Sequence, residues 1–141
     1  ASFNLDTWKN LALTYKHLEH LIDAFMPRTR RNNTYCKTLS GVSDERIKSV
    51  RTIDGLREVF NNDRYHKVNF EAYSRHRTVE FRQHSGTTNF TKMENWIRFL
   101  NGLITFAKRS SLPSRMTLEG LPFLDGKQKL FFKLRTKKLA V

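Results

Sequence analysis

In the run Thr78-Val79-Glu80-Phe81-Arg82-Gln83-His84-Ser85-Gly86-Thr87, a carboxylate and a guanidinium stand two positions apart, just ahead of a Gly-Thr loop. Apolar and polar side chains alternate through its first half, the period of a half-buried strand. Val79 and Phe81 would face a core, and Glu80 and Arg82 would project together from the opposite face. A carboxylate offers the hard oxygen that magnesium takes, and arginine matches phosphate oxygens bidentately. Such a pair before a Gly-Thr loop suits a metal plus a phosphate. On these residues alone, the plainer reading is preferred: a cross-strand salt bridge on a solvated face, worth little.

A second group of chemically able residues lies earlier. Arg28, Arg30 and Arg31 crowd beside Asn32, Asn33 and Tyr35 without an acidic residue. Three guanidinium groups on one loop repel each other unless an anion sits among them. Ligand binding, a solvated basic loop and a nucleic-acid contact all remain open on these residues. His84 has an unperturbed pKa near ~6.5, so it suits either proton transfer or a structural hydrogen bond. The His84-Ser85 pair does not read as a hydrolase, because strand neighbours point apart and no Gly-x-Ser-x-Gly elbow is present. Cys36 has only nearby arginines to lower its pKa and reads as a structural thiol. One cysteine and five scattered histidines give no zinc-ligand spacing.

The wider neighbourhood gives Glu80 and Arg82 a different meaning. Thr-Val-Glu-Phe-Arg-Gln-His-Ser-Gly-Thr followed by Trp96-Ile97-Arg98-Phe99 resembles the signature of the amidoligase family, which belongs to the glutamine-synthetase-like carboxylate–amine ligases. Met26-Pro27-Arg28-Thr29-Arg30-Arg31-Asn32-Asn33-Thr34-Tyr35-Cys36 is similar to the family's Pro-x-x-Arg-Arg-x-Asn-x-Tyr-Cys segment, and Arg64-Tyr65-His66-Lys67-Val68-Asn69-Phe70 resembles its Arg-Tyr-x-x-Leu-Asn-Leu strand. Three blocks in the right order, over residues 4 to about 110, make the resemblance specific where a lone Glu-x-Arg would not.

The resemblance implies carboxylate activation. ATP would phosphorylate a substrate carboxylate, and an amine would displace the acyl phosphate to give an amide or peptide-like bond. Glu80 would be a magnesium ligand, and Arg82 would neutralise charge on the phosphoryl group in flight. Arg30 and Arg31 would bind the substrate carboxylate or the transferring phosphate. Asn69 would donate a hydrogen bond into the same cleft, and His84 would lie on the substrate or phosphate side. ATP and magnesium are the implied cofactors, and small-molecule or peptide carboxylates and amines the implied substrates. Family members are roughly twice as long as this chain, and their first half supplies acidic strands and a His-x-His strand. No His-x-His occurs here, and Ala1 falls about where that strand has just ended. The expectation is the C-terminal half of such a ligase, completed by an N-terminal half or a second polypeptide.

Composition bounds the alternatives. A chain of 141 residues forms one domain, and 38% hydrophobic residues with eleven Phe argue for a folded core. A single cysteine excludes an internal disulfide, so the expected compartment is reducing, either cytoplasmic or within a virion or organelle assembly. The most apolar stretch, residues 96–107, is broken by Arg98 and Asn101 and is too short to span a membrane. Lys and Arg outnumber Asp and Glu by 26 to 13, a net charge of +13. That balance suits a polyanionic partner, and the last residues add Lys127, Lys129, Lys133, Arg135, Lys137 and Lys138. A catalytically inactive basic module docking on nucleic acid or within a ribonucleoprotein or virion is the competing reading.

The elements that position these residues follow from periodicity. Leu5, Trp8, Leu11, Tyr15, Leu18, Ile22 and Phe25 form the stripe of an amphipathic helix, capped by Asn4 or Asp6 and stopped near Pro27. Residues 28–43 lack a period and read as a long loop. Short helical segments are expected at 43–47 and 52–60. Two strands, 67–72 and 78–83, would form an antiparallel hairpin. Thr91 and Glu94 predict a capping box opening a helix whose buried side is Met93, Trp96, Ile97, Leu100, Leu103, Ile104 and Ala107. After a short segment at 116–121, residues 127–139 fit a helix with Leu130, Phe131, Leu134 and Lys138 along one side. The expected class is α+β: a small antiparallel sheet packed by helices, resembling the C-terminal part of a glutamine-synthetase-like fold, with 111–141 as a basic helical tail.

Overall fold

Asn4 begins the helix around which the rest of the chain packs. In the computed structural model, which describes residues 3–140, the Asn4 side-chain oxygen accepts the Thr7 amide at 3.0 Å. The Asn4 amide faces the Thr7 hydroxyl in return. This reciprocal cap satisfies amides that a helix start leaves without partners. The helix, α1, spans Leu5–Ala24 and buries Leu11, Tyr15, Leu18 and Ile22 completely. It ends where the Phe25 amide folds back onto the Ile22 carbonyl, two residues ahead of Pro27.

The second long helix, α5, spans Phe90–Ala107 and lies against α1. Asn10 of α1 donates to the Ala107 carbonyl at 3.0 Å, closing the last turn of α5. Two expectations for α5 are corrected. Asn89, not Thr91, is the cap, its side chain accepting the Lys92 amide at 3.1 Å. The buried face is Trp96, Phe99, Leu103 and Ala107, while Met93 and Ile97 face outward. The helix is apolar over more than half its circumference, so its own pattern fits several faces. Phe99 decides between them by packing against Phe25 at 5.6 Å, Phe123 at 5.4 Å and Phe132 at 5.4 Å between ring centroids.

Phe132 belongs to the last helix, α6, at Gly126–Leu139, opened by an Asp125–Gln128 capping box. Here too the expected stripe is overturned. Gln128 and Phe132 are buried, whereas Leu130 and Leu134 are 56% and 57% exposed. Two short helices, α2 at Asp44–Ser49 and α3 at Ile53–Val59, are capped by Ser43 and Thr52. The His17 ring ties α1 to two of its neighbours, meeting Asp44 Oδ2 at 2.7 Å and the Leu112 carbonyl at 2.6 Å.

The sheet is smaller than the pattern predicts. Strand β1 is Val68–Asn69 and strand β2 is Glu80–Phe81, antiparallel, with Val68 opposite Phe81 and Asn69 opposite Glu80. A helical turn, α4 at Tyr73–His76, occupies the connection and ends with Arg77 in the left-handed region at φ 55°. Both strands are therefore cut short where the chain turns away. The Arg-rich loop lends the sheet a third edge: the Lys37 amide donates to the Tyr65 carbonyl at 2.8 Å, and the Lys67 amide to the Lys37 carbonyl at 2.9 Å. The architecture is α+β, as expected. No described helix is long and apolar enough to cross a membrane.

Candidate functional site

Register places the predicted pair. Because Asn69 stands opposite Glu80, the side chains of Asn69, Glu80 and, two residues on, Arg82 emerge on one face of the sheet. Arg82 Nη1 lies 2.9 Å from Glu80 Oε1, and Asn69 Nδ2 lies 3.4 Å from the same oxygen. The Arg82 guanidinium also lies over the Tyr65 ring, 5.3 Å from its centroid. Its Nε is buried and has no hydrogen-bond partner among the described residues. These groups line an open cleft of about 650 Å³ with Arg64, Arg75 and Glu71.

Glu71 is a member of the cleft that the sequence pattern does not single out. One of its oxygens accepts Arg57 Nε at 2.8 Å, while the other, Oε1, is buried without a partner among the described residues. An uncompensated buried carboxylate oxygen is costly, so its place beside the cleft suits a cation or a donor arriving with a ligand. Nothing in the local pattern marks Glu71, because it follows the strand as an ordinary turn residue.

A larger omission lies directly beneath. The Arg82 amide donates to the Lys67 carbonyl at 2.9 Å, and the Lys67 side chain turns inward, where it is fully buried. Its Nζ meets Asp23 Oδ1 at 2.9 Å and Glu19 Oε2 at 3.1 Å. Gln83 donates to Asp23 Oδ1 at 2.5 Å and accepts from the Tyr15 hydroxyl at 2.6 Å. Glu19 also accepts the Thr38 hydroxyl at 2.5 Å and the Leu39 amide. Burial, reinforced by Cys36, Glu19 and Asp23, pushes the Tyr15 phenol well above its usual range and keeps it a donor. One signal was available: Tyr15, Glu19 and Asp23 recur every four residues, a polar row beside the apolar stripe of α1.

This network holds the register. Shifting β2 by one residue would draw Gln83 out of the core and turn Glu80 inward. The same network joins α1, the Arg-rich loop, β1 and the residues after β2, so the cleft stands on a polar core linked at four points.

The remaining predicted residues separate. Arg31 is engaged with backbone, its Nε donating to the Met26 carbonyl at 3.0 Å and Nη2 to the Leu139 carbonyl at 3.4 Å. Arg31 thus ties the loop to the end of α6 rather than facing Glu80. Arg30 is half-buried, and its charge acts on both Cys36 and His84. The Cys36 thiol is buried and donates to the Arg30 carbonyl at 3.1 Å. Burial raises its pKa, outweighing the opposing pull of Lys67, Arg30 and Arg82, so it is a structural thiol as expected. His84 opens on a different cavity, stacked on Trp96 at 5.3 Å, with Nδ1 donating to the Ser85 carbonyl at 2.7 Å.

An α+β domain presenting a carboxylate, a guanidinium and an amide on one sheet face above a buried ionic core is suited to handling phosphorylated or carboxylate ligands. A family model described as "Putative amidoligase enzyme" matches residues 1–104. The chain belongs to the amidoligase family. No curated protein and no solved structure matches it.

Proposed function

We propose that this chain carries the carboxylate-activating side of an ATP- and magnesium-dependent carboxylate–amine ligase with a glutamine-synthetase-like arrangement. The observation that supports this most is the convergence of Glu80, Arg82 and Asn69 on one open cleft in an amidoligase-family chain. In such a reaction the γ-phosphoryl group passes from ATP to an oxygen of the acid, and ADP leaves. An amine nitrogen then bonds to the acyl carbon as phosphate departs, and the nitrogen gives up a proton.

Magnesium is commonly held by one or two carboxylates, with phosphate oxygens and water completing its shell. Among the described residues no group of three or more ligating side chains gathers, but Glu80 and the unpartnered oxygen of Glu71 line the same cleft and fit that pattern. Bound there, the ion would draw charge from phosphoryl oxygens. Arg82 pairs with Glu80 and, among the described residues, its Nε has no partner, so it can turn donors to a phosphoryl oxygen as charge builds. The Tyr65 ring beneath the guanidinium limits the directions it can take. Asn69 orients Glu80. Arg31 is engaged elsewhere, and Arg64 and Arg75, which line the cleft, would receive the substrate acid in this reading. A further segment or a second polypeptide supplies the remaining nucleotide contacts in this reading.

A second reading has its own observation. Lys127, Lys133, Lys137 and Lys138 of α6 are exposed, and among the described residues none makes an ion pair. A basic module seated on nucleic acid would present such a face. Titration with Mg-ATP and with a generic oligonucleotide separates the two. Saturable, magnesium-dependent ATP binding that Glu80→Ala removes supports the ligase. No ATP affinity, with oligonucleotide binding that falls steeply with salt, supports the module.

A further inference from the structure

His84 faces a cavity of about 100 Å³ that the ligase cleft does not share, since the two have no lining residue in common. By volume it admits several water-sized groups. One wall is the loop His84-Ser85-Gly86-Thr87; another is the end of α1 with Phe25; the third is α6, through Phe131, Phe132 and Arg135, with Lys92 of α5 at the rim. Two features make it a site rather than a packing gap. Lys92 and Arg135 both line it, no acidic residue does, and among the described residues neither cation has a hydrogen-bond or ion-pair partner. The apolar part of the lining is largely aromatic, with Phe25, Phe131 and Phe132.

Two unpaired cations beside a partly enclosed apolar pocket repel each other and attract an anion that brings its own apolar surface. The loop can contribute as well. Ser85 and Thr87 offer hydroxyl groups, and a Cβ added at Gly86 would meet nothing within 4 Å, so the backbone there is open to a close approach. The His84 Nδ1 donates to the Ser85 carbonyl, which leaves Nε2 as the ring's remaining polar atom.

We propose that this pocket binds a small organic acid, its carboxylate or phosphate head held by Lys92 and Arg135 and its apolar body resting on Phe25, Phe131 and Phe132. Arg135 and both phenylalanines of α6 lie beyond the residues that match the amidoligase family, so the pocket is a feature of this chain's last helix. It stands whether or not the neighbouring cleft performs ligation.

Burial, aided by the charges of Arg135, Lys92 and Arg30, holds His84 below its usual pKa range. An anion seated between those cations would offset them and let the imidazole protonate at higher pH. This provides a second readout independent of affinity.

The test is calorimetric titration of the 141-residue chain with benzoate, with its neutral analogue benzamide, and with inorganic phosphate. Saturable benzoate binding is expected, at least about tenfold tighter than benzamide, and weakened about tenfold or more by Arg135→Gln and by Lys92→Gln. Lys48→Gln, on α2 and in the lining of neither cavity, leaves it unchanged. Bound benzoate raises the His84 pKa measured by NMR. Phosphate binding with the same Arg135 dependence assigns a phosphate head; Arg135-dependent benzoate binding with no phosphate binding assigns a carboxylate. Equal affinity for benzoate and benzamide, indifference to both substitutions, or an unmoved His84 titration overturns the proposal.

Discussion

Lys67 Nζ lies 2.9 Å from Asp23 Oδ1 with its own side chain wholly out of water. The ammonium carries the backbone whose carbonyl receives the Arg82 amide, so the ion pair and the outward-facing Glu-x-Arg strand share one peptide. Catalytic-looking residues on a two-residue strand would ordinarily be poorly held. Here the strand is anchored from below by charge.

Replacing Lys67 with methionine removes the cation shared by the buried Glu19 and the partly exposed Asp23. Breaking a buried pair from one side costs about 3–5 kcal/mol. Urea unfolding of Lys67→Met is expected to show a loss of that size. A loss below about 1 kcal/mol would mean that the network does not anchor the strand.

Glu80 behaves differently. Its side chain is half exposed and its pair with Arg82 is accessible to water, so Glu80→Gln should change stability by no more than about 1 kcal/mol. In the proposed ligase, magnesium-dependent nucleotide turnover should fall by more than the ~10–100-fold that loss of a metal's outer partners brings. Unchanged turnover removes Glu80 from the site.

Gly102 sits on α5 where a Cβ would come within 2.7 Å of Phe123 Cδ2 and 3.0 Å of the Phe123 carbonyl oxygen. Alanine in a helix normally gains up to about 1 kcal/mol over glycine. Overpacking against a backbone oxygen costs about 1–3 kcal/mol, so the clash wins and Gly102→Ala should lower the melting temperature. A raised melting temperature would show that the segment around Phe123 yields.

The Lys37 ammonium bonded to Asp63 holds that carboxyl below the usual range, helped by the Tyr65 amide and opposed by burial. A depressed folded-state pKa contributes stability that is fully present above the unfolded value near ~3.9 and is lost as pH falls through the folded value. Stability measured from about pH 6 downward should decline in that window. Lys37→Met should flatten that part of the decline while lowering stability at neutral pH. An identical acid limb in the variant would show that other carboxylates account for it.

Much of this molecule can be read from local chemistry. Asn4, Ser43, Thr52 and Asp125 cap helices because an acceptor side chain beside a free amide is a short-range event. The alternation from Val79 to Arg82 places Glu80 and Arg82 on one face for a similarly local reason, and chain spacing suits the antiparallel sense of the pairing, though not the register that sets Asn69 opposite Glu80. Strand length does not follow in this way, because the turn at Tyr73–His76 competes for the same residues.

The family, the class of fold and the Glu-x-Arg face were thus written in neighbouring residues. Which side of α5 and α6 turns inward was decided only by distant rings, Phe25, Phe99 and Phe132, because both helices offer more apolar surface than one core can cover. The burial of Lys67 between Glu19 and Asp23, 48 and 44 positions away, was likewise a tertiary outcome. Charges so far apart in the chain acquire meaning only when folding removes the water between them.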